Sequence, residues 1–451
     1  MNDLFEIARS GLLAAQQKST VTSNNVANAD TPGYSRERVN LEPAFETVNG
    51  VSKGLGVKTG EVVRMRDTLV DKQLKIKNNE LGGLNTRSKV YNQLEALMIT
   101  GSGNDLDKNI SDLFNSFSDL ANNPQESNLR NVVLSKAKTL VNKFHSMSSG
   151  MDQIQQSTKN EIGSVIDKVN SLLKDLSNTN TSIAQSSAVN KSDNTSKDLQ
   201  TQKLSELSKL VDFTTSTDQT GALQIRIGGM LVLNGSDVST IKEEVAKPGD
   251  KINLRLNNGK LLDVNNGQLA AGLNMVNNVI PDLKNNLNTL SAKLVQKVNQ
   301  VHISGYGLAD NVQRNFFDPT DTTAANITIN PDILNHPENI AASSVAGEAG
   351  NNNNALNMVN LRDQSVIKNG TFYQNALALI SKPGTTLSTV NSDIETTQSA
   401  QHMLQNQQDN VSGVNLDEEL SNLIKFQNAY QASAKVIAAG KQMYDTLLNI
   451  A

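Results

Sequence analysis

The 451-residue sequence contains no cysteine and no tryptophan. Without cysteine there is no disulfide, no thiolate nucleophile, no CxxC zinc site and no iron–sulfur cluster. Aromatic residues make up 4% of the chain, which leaves few platforms on which a base or sugar could stack. An excess of positive charge is missing too. The 41 Lys and Arg stand against 45 Asp and Glu, a net charge of −4, so nucleic acid is not an expected partner. No run approaches about 18 uninterrupted apolar residues, so no membrane-spanning helix is expected. The opening Met1–Ile7 has neither a cationic nor a continuous apolar region, which predicts no Sec-type signal peptide. Asparagine is what the chain has in excess, at 58 residues. It favours caps and turns, so helices must be argued from pattern rather than propensity.

The pattern is helical over most of the length. Leu106, Ile110, Leu113, Phe117 and Leu120 form one short stripe, ended by Asn122-Asn123-Pro124. A longer stripe runs Val133, Ala137, Leu140, Phe144, Met147, Met151 and Ile154. It passes a polar break at Thr158 and resumes as Ile162, Val165, Val169, Leu172 and Leu176. That spacing predicts a long helix of coiled-coil type with a stutter near Thr158. A third stripe, from Leu269 to Val301, contains Pro281, which should kink or restart its helix. A fourth, from Val63 to Met98, looks weakened at Gly82-Gly83.

Between these helices the period changes to two. Leu223, Ile225 and Ile227 alternate with polar residues before Gly228-Gly229 and a second apolar run, a hairpin pattern; Ile252, Leu254 and Leu256 alternate likewise. The chain therefore divides into a helix and extended connector over 1–60, a helical bundle over 61–210 and a small β-rich insertion over 211–265. A long bundle helix over 266–304, an irregular or β-containing outer region over 305–370, and C-terminal helices over 371–451 follow. The expected fold is mainly α with a smaller β part. It is an elongated multi-helix coiled-coil bundle built from both chain ends and the central helices, plus an inserted small β-rich outer domain.

Chemistry-bearing patterns are weak. His145, His302, His336 and His402 are scattered and form no ligand motif, so no metal is expected. Gly54-Leu55-Gly56 and Gly101-Ser102-Gly103 lack the context of a phosphate cradle and read as turns. Asp417-Glu418-Glu419 reads as first-turn acids that complement a helix dipole rather than a catalytic pair.

The two ends carry the strongest signal. Leu4, Ile7, Ala8, Gly11, Leu12, Ala15 and Val26 make a narrow apolar face with small residues. Leu416, Leu420, Leu423, Tyr430, Ala434, Ile437, Tyr444 and Leu448 hold one heptad register at the other end. Two such helices, separated by the whole chain, predict a coiled coil in which the ends meet and offer apolar surface to neighbouring copies. The segment Asn28 to Tyr34, with Pro32-Gly33, must end the first helix and act as a connector.

The stretch Phe5 to Gln16, followed by Ser23 to Arg36 with its Asn-rich run and Tyr34-Ser35-Arg36 ending, resembles the N-terminal signature of bacterial flagellar rod, hook and hook-associated proteins. Ser412 to Leu420, Phe426 to Ile437 and Met443 to Leu448 resemble the C-terminal signature, and Leu120 to Pro124 and Val298 to His302 agree internally. The Tyr-Ser-Arg ending is nearer the hook-associated members than the rod or hook proteins. The resemblance implies a non-enzymatic structural subunit without cofactor or metal, polymerising at the distal end of the hook and joining hook to filament. It implies export in an unfolded state through the flagellar type III apparatus, a transient cytoplasmic stay and an extracellular end point. Implied partners are further copies of the chain, the hook protein, a second junction protein on the filament side, and a cytoplasmic export chaperone on the C-terminal helix. The terminal stripes, with Asn28, Pro32, Gly33 and Tyr34, would form the assembly interfaces. Many relatives carry a larger outer region, whereas the only clear β insertion here is 211–265. A hook or rod axial protein, or a wall-degrading enzyme on an axial scaffold, are the competing readings.

Overall fold

The computed structural model describes residues 2–48, 51–99, 105–189, 192–218, 222–245, 251–367 and 369–450; the Gly101-Ser102-Gly103 turn lies outside them. The body is made of long helices. They are α2 (Thr68–Met98), α3 (Leu106–Asn122), α4 (Ser127–Ala188), α5 (Asn194–Leu210), α6 (Gly267–Asn274), α7 (Ile280–His302) and α10 (Phe372–Ser412). Shorter α8 (Pro331–Asn335) and α9 (Asn353–Asn360) lie between the last two. Two cores are stacked along α4. One is formed by its first half with α2, α3, α7, α9 and the start of α10. The other is formed by its second half with α5, α6 and the β insertion. The Thr158 break falls between Met151 of the first core and Ile162 of the second. Its buried hydroxyl donates to Ile154 O at 2.8 Å, so α4 crosses the boundary unbroken.

Pro281 restarts the third stripe as expected. A π turn, Met275–Val279, separates α6 from α7, and Gln155 of α4 donates to Val276 O at 2.9 Å there. A proline cannot donate to the helical ladder, and a π turn is one way to absorb the missing bond. The insertion contains two small antiparallel sheets. The first holds β3 (Thr214–Thr217), β4 (Leu223–Ile227), β5 (Met230–Asn234) and β6 (Asp237–Val238). The second holds β7 (Ile241–Glu244), β8 (Asn253–Leu256) and β9 (Leu261–Leu262). Gly228 and Gly229, both at positive φ, turn β4 into β5.

Three expectations need correction. Val63 belongs to a strand, and α2 starts after Asp67, whose carboxylate caps Leu69 and Val70 N–H. Gly82-Gly83 does not weaken α2. It lets the helix cross the chain at Lys209 and Gly267 so closely that a Cβ on Gly82 would overlap Lys209 O. The β insertion is also not the only β structure. The connector folds into a long antiparallel ribbon, β1 (Glu37–Val48) and β2 (Val51–Arg64), bulged near Asn40 and Ala44.

Residues 305–370 are largely irregular, held by isolated bridges such as Phe317 to Ile329, yet Phe316 and Phe317 are core. Phe316 and Phe317 cross at 4.9 Å between ring centroids, with Phe117 and His302 against Phe316. Asn299 explains its place in the Val298 to His302 stretch. Its Oδ1 accepts from Phe316 and Phe317 N–H at 2.9 and 2.8 Å, and its Nδ2 donates to Phe317 O. His302, wholly buried, bonds Arg314 O through Nδ1 at 2.7 Å and receives Ala341 N–H on Nε2 at 2.9 Å, the pattern of a neutral ring. Burial pushes its pKa down to about 4. The unfolded chain therefore takes up this proton from about pH 6.5 downward while the folded chain resists. The stabilisation is complete above that range and is lost as pH falls toward 4, about 2–3 kcal/mol by pH 4.5. Urea midpoints measured from pH 7.5 to 4.5 should drop accordingly, and His302→Gln should flatten that slope.

Candidate assembly joint at the chain ends

The N-terminal helix α1 (Asn2–Ala27) lies antiparallel against the last helix, α11 (Leu416–Ile450). The register follows one heptad position on each helix. A Cβ on Gly440 would meet the Phe5 ring and Leu4, one on Gly11 would meet Ser433, the Lys18 ammonium lies 5.2 Å from the Phe426 ring centroid, and Asn25 binds Glu419. Small residues at two of these levels let the backbones approach. The other side of α1 rests on the ribbon, where Ser10 Oγ accepts from Val57 N–H at 3.2 Å and donates to Ile7 O. Gly56, at φ +92°, leaves the room that Ser10 needs.

The predicted C-terminal stripe is shifted from this seam. The residues facing α1 are Glu419, Phe426, Ser433 and Gly440, each three positions after Leu416, Leu423, Tyr430 and Ile437. At 3.6 residues per turn the stripe therefore lies about 60° and 100° round the helix from the seam. Leu423, Ala434 and Ile437 are half-buried beside α1. Leu416, Leu420, Tyr430, Tyr444 and Leu448 are exposed, Leu420 by 48% and Leu448 by 60%. On α1, Ala8 and Ala15 are buried and Leu12 and Val26 half-buried, while Leu4 and Ile7 remain exposed. The ends do meet, but through a different face of α11, made of small and polar residues with Phe426, which leaves most of the apolar α11 stripe uncovered.

Below the seam the connector is tied by a polar knot. Asn28 Nδ2 donates to Asn24 O at 3.0 Å and Asn28 O receives Thr31 N–H; Pro32 and Gly33 are exposed, with Gly33 at φ +84°. Asn25, 1% exposed, is the hub. Its Oδ1 accepts from the Tyr34 hydroxyl at 2.8 Å and from Glu37 N–H at 2.9 Å, and its Nδ2 donates to Glu37 O and to Glu419 Oε2 at 3.1 Å. Burial, helped by the Glu37, Asp198 and Glu419 carboxylates, holds the Tyr34 phenol well above its usual range, so it stays a donor.

Ser35 is wholly buried; its N–H and hydroxyl both reach Asp198 of α5, at 3.1 and 2.6 Å. Arg64 adds a 2.8 Å bond to the same carboxylate, and Arg66 donates to Ser35 Oγ. Arg36 spans the gap to α11. Nε donates to Glu419 Oε1 at 2.8 Å and Nη2 to Glu418 Oε1 at 2.8 Å, while its backbone N–H reaches Ser412 O. The Arg36 guanidinium holds the Glu418 carboxyl below its usual range. Asp417-Glu418-Glu419 lies in the first turn of α11 as expected, behind the Asn415 cap, and Glu418 and Glu419 have the further role of accepting from Arg36.

The site therefore joins three consecutive motif residues to three separate elements: Tyr34 to α1, Ser35 to α5 and Arg36 to α11. Sequence reading noticed the motif and the acidic pair but had no means of pairing residues 382 apart. Among the described residues, no group of three His, Cys, Asp or Glu is placed to hold a metal, and no helix is long and apolar enough to cross a membrane.

Comparison with known proteins matches residues 91–317 to the flagellar hook-associated protein FlgK helical domain. Residues 5–34 match the flagella basal body rod protein family, and residues 401–450 the flagellar basal body rod FlgEFG protein C-terminal family. Flagellar hook-associated protein 1 of Bacillus subtilis is 26% identical over 99% of this chain and 97% of its own length. The Salmonella typhimurium protein of that name is 25% identical over the whole of both chains. That alignment spans 558 positions against 451 residues, so on the order of a hundred positions of the relative have no counterpart here. The solved structure of the flagellar hook junction protein FlgK from Burkholderia pseudomallei matches with a TM-score of 0.64 at 13% identity. It covers 75% of this chain and all of that one, a likeness of fold.

Proposed function

The chain belongs to the flagellar hook-associated proteins that carry the FlgK helical domain, and from that premise we propose that it is a structural subunit of the junction between hook and filament. One observation carries the reading. α11 is held in place by α1 and the Arg36 knot, yet it keeps Leu416, Leu420, Tyr430, Tyr444 and Leu448 exposed on one side. An ordered apolar stripe of this kind is surface addressed to other chains. Rod-type signatures at both ends supply an axial unit, to which the helical body is tied at Asp198 and Ser412.

On this reading the partners are further copies, the hook protein on one side and a second junction protein on the other. The same α11 stripe suits an export chaperone that shields it in the cytoplasm before secretion. The subunit's final location is then outside the cell, and its role is load-bearing rather than catalytic. Electron microscopy of cells lacking the chain tests the proposal. Hooks without filaments, with filament subunits lost to the medium, are expected; normal filaments would overturn it.

A further inference from the structure

The axial unit has a second face, on the flank of α11 away from the apolar stripe. A cleft of about 320 Å³ opens there between α1, β1 and α11. Lys18, Arg38 and Lys425 converge on it from three different elements. Arg36 also borders it, paired with Glu418 and Glu419, and the Glu37 carboxylate lines it too, so four cations face three carboxylates and the cleft keeps one net positive charge. Lys18, Arg38 and Lys425 form no ion pair among the described residues; Lys18 has only the Phe426 ring. The three cations feel one another: burial first, then the charges of Arg38 and Lys425, hold the Lys18 ammonium below its usual range. One net positive charge left in a partly desolvated cleft is matched by one further carboxylate.

The same helix carries a candidate anion on its other side. Asp417 is exposed and has no side-chain partner among the described residues. Taking the α1-facing position as reference, Lys425 lies about 100° round the helix in one direction and Asp417 about 160° in the other. A head-to-tail contact between identical subunits sets one flank of the first copy against the opposite flank of the second, which is the geometry of rings and helical tubes. We propose that the Lys18–Arg38–Lys425 cleft receives the Asp417 carboxylate of a neighbouring copy of this chain. The proposal rests on the axial assembly reading above and specifies the lateral contact within it.

The test uses the purified full-length chain, with attachment to isolated hooks scored by electron microscopy and self-association by sedimentation. Lys18→Glu/Lys425→Glu should cut self-association and hook attachment at least 10-fold, and Asp417→Lys should do the same. Combining all three reversals should restore both to within about 3-fold of the unmodified chain. Lys425→Gln, at the exposed rim, gives a milder loss without introducing a new charge, and unchanged thermal melting controls for folding. Failure of the triple variant to recover, with the unmodified chain attaching normally, overturns the Asp417 pairing. Normal self-association of the Lys18→Glu/Lys425→Glu variant with lost hook attachment also overturns it, because the occupant is then the hook subunit. If the unmodified chain itself never attaches, the assembly reading falls first and takes the pairing with it.

Discussion

Replacing Arg36 by alanine is expected to release both chain ends from the body while leaving the body folded. The side chain bridges Glu418 and Glu419, and its backbone holds Ser412 O and Met65 N–H. Of the two carboxylates, Glu418 is half-exposed, and its pairing is worth little in water. Glu419 is 2% exposed, and without Arg36 the side-chain hydrogen bond left to it among the described residues is that from the Asn25 amide. An uncompensated buried carboxylate costs about 3–5 kcal/mol. Local opening of α1 and α11 would become some hundred-fold or more easier, visible as faster amide exchange there with α4 unchanged. Glu419→Gln keeps an acceptor without the charge and should cost less. Equal protection of α1 in Arg36→Ala and the parent would show that the knot does not hold the ends.

Removal of residues 414–451 should have the larger biological effect and a small thermodynamic one. Neither buried core contains a residue beyond Ile380, so the body should melt within a few degrees of the full chain. The ends behave differently. α1 loses its antiparallel partner, Asn25 loses Glu419, and Arg36 loses both acceptors. The truncated chain should remain soluble and monomeric but fail to incorporate at hook tips, with motility abolished. Filaments on hooks built with the truncated chain would contradict the role given to α11.

Much of the body was legible because its cores are made by long aliphatic stripes. The α3 and α4 stripes predicted from sequence are the buried faces, and Pro281 marks the π turn. The ribbon was not legible. Its bulges break the period of two, and Pro43, Gly54 and Gly56 resemble punctuation rather than strand. The α11 stripe was visible as an apolar face, but a pattern does not say which neighbour covers it. Gly11 stood in the predicted α1 face, but its opposite on α11 was hidden because Ser433 and Gly440 contribute closeness rather than hydrophobicity. The glycine pair in α2 illustrates the same limit, since local propensity cannot register a chain crossing at Lys209. The knot's Tyr34-Ser35-Arg36 drew notice by resemblance alone. Its partners Asp198 and Glu419 are ordinary acids until folding brings them near.

The contact between Asn25 and Glu419 spans 394 residues. Closing a loop of that length costs about 2 kcal/mol more than closing one of about 40 residues, a modest penalty in equilibrium but a demanding one for the order of events. The two cores involve only contacts between residues 90 and 380 and can form first. The seam that presents the apolar stripe forms only once the far end of the chain has found the near one. A subunit emerging from N- to C-terminus therefore acquires its adhesive surface last. On the proposed assembly role, sequence separation would act as a timer, delaying contact with neighbouring subunits until α11 has met α1.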